Sequence, residues 1–168
     1  MEKDNELVKK QNSMEREINY IIIHCSATRL DTDFTAKDVD TAHRYRGFSS
    51  AGYHYYIRKS GAIEKMRPLE QPGAHCYGYN RNSVAVCYEG GLDENGAPAD
   101  TRTEAQKVTM RYVVGHLLDQ FPGSQVVGHR DLSPDKNGNG RIEPIEWLKL
   151  CPCFEVRRER WEPISGEE

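Results

Sequence analysis

The sequence has no apolar run near the ~20 residues that cross a bilayer. Its longest candidate, Tyr20 to Cys25, has the length of a buried strand. No membrane partner is expected. No charge of one sign dominates either: 23 basic residues stand against 26 acidic ones, the formal net charge is -3, and no long block of like charge occurs. That balance gives no reason to expect a nucleic acid as partner. The opening segment MEKDNELVKKQNSMERE lacks an apolar stretch and a small-residue cleavage site, so it does not read as a secretory leader, and synthesis in the cytoplasm is expected. The five cysteines (Cys25, Cys76, Cys87, Cys151 and Cys153) are an odd number in such a chain. They point to reduced thiols or a metal ligand rather than a disulfide framework. Internal repeats and low-complexity tracts are missing too, which excludes solenoids and fibrous classes.

What is present suits one globular domain. The 168 residues can bury a core without staples, and 37% hydrophobic with 29% charged residues describe a well-wetted surface. Residues 1–17 read as a charged arm, 18–161 as the domain and 162–168 as a tail. Ile18 to Cys25 (INYIIIHC) is β-branched and almost wholly apolar, the pattern of a central strand covered on both faces, and it sets His24 near its end. Thr35 is placed to cap a helix through Arg46, with Val39, Ala42, His43 and Arg46 on one face. Gly52 to Arg58 and Ala62 to Met66 flank a turn and read as a hairpin; Ser83 to Tyr88 reads as another strand. Thr103 and Gln106 have capping-box spacing, and Met110, Val113, Val114, Leu117, Leu118 and Phe121 follow at helical intervals. Val126 and Val127 suggest a short strand running into Gly128 and His129. The sum is an α/β fold, a mixed central sheet flanked by helices.

Three side chains with metal-ligand chemistry fall beside strand ends or in loops: His24, His129 and Cys151. Two imidazoles and one thiolate match a catalytic zinc site, which takes three protein ligands and leaves a position for water. Water held there ionises near neutral pH. Spacing alone does not select zinc, because these residues follow no CxxC or HExxH pattern. A hydrogen-bonded core histidine at His24, a loop histidine at His129 and an inert buried thiol at Cys151 are each individually more common than a ligand.

Longer segments narrow the choice. IHCSATR (Ile23 to Arg29), GYHYYIRKSG (Gly52 to Gly61), GYNRNSVAVC (Gly78 to Cys87) with GGLDENG (Gly90 to Gly96), and KLCPCFEVRRERW (Lys149 to Trp161) closely resemble the zinc-dependent N-acetylmuramoyl-L-alanine amidases. Among these the likeness is to the amidase-type phage lysozymes and, more distantly, to peptidoglycan recognition proteins. The match keeps its order from about Ile18 to Trp161. It implies an amidase-like fold and hydrolysis of the amide between the lactyl group of N-acetylmuramic acid and the L-alanine of the peptidoglycan stem peptide, by zinc-activated water. His24, His129 and Cys151 are then the zinc ligands; Cys151 is preferred to Cys153 because it directly precedes the proline of KxCP. If this segment is extended, Cys151 and Cys153 share one side, and Lys149 projects beside the metal ligand. The resemblance makes Tyr53 and Lys149 catalytic assistants that stabilise the developing oxyanion. It makes His75 a substrate contact; Asn80 and Asn82, which follow, have side-chain amides suited to stem-peptide carbonyls and amides, though asparagine beside glycine in a loop serves turn chemistry just as often. His43 and His54 match no catalytic role and read as packing or surface positions; Cys25 and Cys87 read as core thiols. The implied partners are the stem peptide and muramic acid, the implied state is a monomer, and the protein meets the cell wall after release from the cell or by another route.

One segment departs from the phage pattern. Between His129 and Cys151 stands DLSPDKNGNGRIEPIEW, an insertion spanning residues 132–146 and their flank. Asp135, Asn137, Asn139, Gly140 and Glu146 satisfy DxNxNGxxxxxE, with Arg141 at the backbone-carbonyl position and Glu143 at the ninth. By residue type this is an EF-hand loop, which makes calcium a candidate second cofactor. The loop has only three carboxylates, Pro144 at its exit and no helix pair around it, and Asn-Gly turns explain its glycines without an ion. Two other functions compete with a zinc amidase: a non-catalytic module that binds muropeptides, and a thiol hydrolase. The first is expected to have lost a ligand, whereas all three are present; the second lacks any local signature.

Overall fold

The computed structural model describes residues 16–166, so most of the charged arm lies outside the described residues. In chain order the elements are β1 (Tyr20–Cys25), β2 (Thr28–Arg29), α1 (Ala36–Tyr45), β3 (Tyr55–Ile57), β4 (Ile63–Lys65), β5 (Ser83–Tyr88), β6 (Gly91–Leu92), α2 (Glu104–Gln120) and β7 (Gln125–Gly128), joined by loops and 3-10 turns. Five strands form one sheet in the order β4-β3-β5-β1-β7, and β2 pairs with β6 apart from it. β1 runs parallel to both β5 and β7, β5 runs parallel to β3, and only the β3–β4 hairpin is antiparallel. The expected mixed sheet is therefore the observed one. Every residue of β5 is buried, as its unbroken apolar run requires of a strand covered on both faces.

Alternation along β1 divides the core. Ile21, Ile23 and Cys25 join Val84, Val86 and the inner stripe of α2 (Met110, Val113, Val114, Leu117 and Leu118) in one large apolar cluster. The helix begins at the expected capping box: Thr103 Oγ1 accepts from the Gln106 N–H and Gln106 Oε1 accepts from the Thr103 N–H, both at 3.0 Å. Gln106 Nε2 also donates to the carbonyls of Ile57 and Glu89, at 3.2 and 2.9 Å, and pins the helix start to the sheet. On the opposite face, α1 is capped by a Thr35–Asp38 box and buries Val39 and His43. Ala42 and Arg46, expected on the same stripe, are exposed and border a cleft instead.

Both margins of the domain are fastened. Arg16, read as part of the arm, donates from Nε and Nη2 to the Leu69 carbonyl (2.9 and 2.7 Å) and from Nη1 to that of Ser83 (2.8 Å). In the expected tail, Ile164 lies against Gly115 of α2, where a Cβ would come within 2.8 Å of Ile164 Cγ1, and the Ser165 N–H donates to Asp119 at 3.2 Å. The loop after His129 that reads as an insertion closes on itself: the Leu148 N–H donates to Ser133 Oγ at 3.1 Å, and Glu146 Oε1 accepts from the N–H groups of Lys136 and Asn137 at 2.8 and 3.2 Å. Among the described residues no helix is long and apolar enough to cross a membrane.

Candidate metal centre and cleft

Strand register assembles the centre. Ile23 of β1 pairs with Gly128 of β7, so the next residues, His24 and His129, leave neighbouring parallel strands abreast, at the carboxyl ends where open α/β sheets place their ligands. Their rings lie 4.7 Å apart between centroids. Cys151 arrives from the far end of the insertion and is held from three sides. The Arg130 N–H donates to its carbonyl at 3.0 Å, Tyr88 Oη donates to the Pro152 carbonyl at 2.7 Å, and the Cys25 N–H donates to its Sγ at 3.2 Å. Sγ is 3.8 Å from His24 Nδ1. One ligand atom from each of His24, His129 and Cys151 falls within 4.8 Å of the others, and among the described residues no other trio of His, Cys, Asp or Glu side chains gathers this way.

The donor set fits zinc in chemistry as well as in position. A histidine ligates only as the neutral ring. Burial holds His24 well below the usual histidine range, reinforced by His129, His75 and Lys149. Burial, with Lys149 second, pushes His129 down to about 4. Both imidazoles therefore keep a lone pair at neutral pH. These groups open into a cleft of about 1130 Å³ that Tyr53, His75, Asn80 and Lys149 also line. The Tyr53 ring stands 5.1 Å from that of His24 and 5.1 Å from that of His43, and burial raises its hydroxyl well above the usual tyrosine range. His43 Nδ1 accepts from the Gly52 N–H at 2.7 Å, beside Tyr53. His43 is buried, as a packing residue is, and the hydrogen bond to Gly52 is a contact whose only signal in the sequence is the helical period His43 shares with Val39.

The other candidate residues are distributed differently from expectation. Asn80 reaches the cleft, but its Oδ1 accepts from the N–H groups of His75 and Cys76, at 2.9 and 3.0 Å. Asn82 is not among the cleft residues, and its buried Oδ1 meets no hydrogen-bond partner among the described residues. Lys149 and Cys151 do line one cleft, as the parity of an extended segment requires. The same parity fails for Cys153: the chain turns there, with φ of 68° and a Cys153 N–H to Leu150 carbonyl bond of 2.8 Å, and the thiol packs against the α2-side core. In the insertion, Asp135 accepts from the Gly138 and Gly140 N–H groups, Asn137 and Asn139 accept from the N–H groups two residues on, and Glu146 accepts from three N–H groups. The carboxylates of Asp135, Glu143 and Glu146 do not converge as the His24 group does, and nothing here supports calcium.

Comparison with known proteins gives this geometry a lineage. The profile of the N-acetylmuramoyl-L-alanine amidase family matches residues 14–143, a stretch that contains His24, Tyr53, His75 and His129, with Lys149 and Cys151 just past its end. The endolysin of Klebsiella phage KP32 is 33% identical over 152 residues, covering 90% of this chain and 91% of its own length. The endolysin of Escherichia phage T7 is 30% identical over 138 residues, covering 82% of each. Among solved structures, the N-acetylmuramoyl-L-alanine amidase LysC from Clostridium intestinale superposes with a TM-score of 0.66 at 25% identity, over 86% of this chain and 82% of that one. A profile match over most of the chain, together with these phage relatives, establishes that the protein belongs to the N-acetylmuramoyl-L-alanine amidase family.

Proposed function

We propose that the chain is a zinc-dependent hydrolase of the amide between the lactyl group of N-acetylmuramic acid and the L-alanine of the peptidoglycan stem peptide. The observation that carries this reading is the convergence of His24 Nδ1, His129 and Cys151 Sγ in a cleft that Tyr53 and Lys149 share. At about 1130 Å³ the cleft is slightly larger than most small-molecule sites, as an extended sugar-peptide requires. His24, His129 and Cys151 would hold the zinc, which would supply Lewis acidity toward the scissile carbonyl and toward the ionisation of water.

The chain's own groups do the rest. His24 and His129 stay neutral and so remain donors to a cation. Tyr53 keeps its proton across the working pH range, so its Oη–H is a hydrogen-bond donor for the carbonyl oxygen as negative charge grows there. His43 fixes the approach of that ring. The Lys149 ammonium on the cleft wall favours the same developing charge. Asn80, with Oδ1 committed to its own loop, offers Nδ2 to a stem-peptide carbonyl. Mass spectrometry of digested peptidoglycan tests the reading: stem peptides beginning with L-alanine should appear beside intact glycan strands, vanish with a chelator and return with zinc. Cys151→Ser should remove the cleavage. Cleavage that persists after complete metal removal contradicts the proposal.

A further inference from the structure

His75 touches the metal centre from behind. Its Nδ1 is 2.8 Å from His24 Nε2, and its own Nε2 is 3.1 Å from Oγ of Ser83, the first residue of β5 and fully buried. Both ring nitrogens are thus engaged inside the protein, and the imidazole has no polar atom left to offer a substrate. Its orientation is fixed. Asn80 Oδ1 accepts from its backbone N–H, and Gly73 lies so close that a Cβ there would come within 2.5 Å of His75 Cδ2 and 2.6 Å of the Gly52 carbonyl oxygen. Arg16 binds the carbonyls at both ends of the surrounding segment, Leu69 and Ser83, at 2.7 and 2.8 Å.

A row of two neutral imidazoles and one hydroxyl has two proton arrangements. In one, Ser83 donates to His75 Nε2 and His75 Nδ1 donates to His24 Nε2, which leaves a proton on His24 Nδ1, the atom 3.8 Å from Cys151 Sγ. That arrangement cannot ligate a cation. In the other, His24 Nε2–H donates to His75 Nδ1, His75 Nε2–H donates to Ser83 Oγ, and the His24 Nδ1 lone pair faces His129 and Cys151. We infer that His75 is a positioning residue for the metal ligand: backed by Ser83, it accepts from His24 Nε2–H, stabilises the His24 tautomer whose Nδ1 is free, and so raises the affinity of the centre for zinc. Histidine here occupies the place that a carboxylate or carbonyl commonly takes behind a metal-bound imidazole.

The inference rests on the zinc reading above, and one experiment separates them. Zinc affinity of the full chain is measured by competition with a chromophoric chelator, and the melting temperature of each metal-free variant serves as the control for folding. His75→Ala should bind zinc about 10–100-fold more weakly. His75→Asn, whose Oδ1 can accept from His24 Nε2–H, should recover most of that loss, and Ser83→Ala should show a smaller loss with its metal-free melting temperature close to that of the parent. In the zinc-loaded protein, side-chain 15N shifts should show the proton on Nε2 of both His24 and His75. Parental zinc affinity in His75→Ala, with only KM raised, would make His75 a substrate contact and overturn the inference. An asparagine variant that binds zinc no better than the alanine one would overturn it as well. Failure of the parent protein itself to take up zinc would overturn the zinc reading and this inference together.

Discussion

The two faces of β1 are built from alternate residues of one strand, yet they serve different ends. Ile21, Ile23 and Cys25 lie against α2 in the apolar cluster, while on the other face Ile22 packs with Cys76 and Val127 and His24 lines the cleft. Of the six histidines in the chain, His24, His43, His54, His75 and His129 gather on the cleft side, and His116 sits on α2 against Tyr112. The α2 side stabilises by removing apolar surface from water, a non-directional effect. The cleft side is held by hydrogen bonds that fix ring orientations and buries imidazoles that folding keeps neutral. Damage on the first side should therefore appear as lost stability, and damage on the second as lost metal or lost chemistry.

The sharpest separation should come from Tyr53→Phe, which removes the proposed donor to the developing oxyanion and should lower kcat on the order of 10²–10³-fold. Zinc content, read by elemental analysis, should stay at the parental level; loss of zinc instead would put Tyr53 in the wrong role. From the opposite side, Leu117→Ala, at a position 2% exposed, should cost about 3 kcal/mol in urea unfolding while the folded protein keeps its zinc affinity. A pH series adds a third test. His54 is buried with Nδ1 accepting from the Ala85 N–H at 3.0 Å and Nε2 2.8 Å from the Gln71 carbonyl, and burial lowers it from 6.5 to about 4. The unfolded chain binds this proton below pH ~6.5 and the folded chain only near 4. The stability it contributes is complete above the unfolded value and declines as pH falls from there to about 4, by roughly 3 kcal/mol in all. His54→Gln should flatten that acid slope in urea midpoints; an unchanged slope would assign it to other groups. The smallest effect belongs to Thr103→Ala, which should cost α2 about 1 kcal/mol of stability through the lost cap and leave peptidoglycan cleavage unchanged.

How much of this was legible depended on whether the signal was local. β5 spans the residues its apolar run marks, and both helices start at the Thr35 and Thr103 caps, because periodicity and capping are written within a few residues. The His24, His129 and Cys151 centre was legible through the resemblance of whole segments; spacing alone left it undecided. The His24–His75 contact has no local mark at all, since 51 residues separate its partners and His75 lies in a loop outside the strands. Cys153 was misread because parity assumes an extended chain, and the turn after Leu150 breaks it. Arg16 was assigned to a loose arm because its neighbours are charged and aperiodic, whereas its own guanidinium finds a nest of carbonyls far along the chain.

The knot at the base of the 132–146 insertion has a consequence for how this protein tolerates change. Ser133 and Leu148 are clasped by one hydrogen bond, and Glu146 gathers the first turn of the excursion back to its last. The route from His129 to Cys151 is thus short in space however long it is in residues. A change of length beyond the clasp is therefore expected to disturb the approach of Cys151 to His129 less than a change outside it, although Asp135 and Ile142 of the loop line the cleft. The clasp is a natural splice point, where new binding specificity can be hung beside the cleft while the chemistry beneath it keeps its geometry.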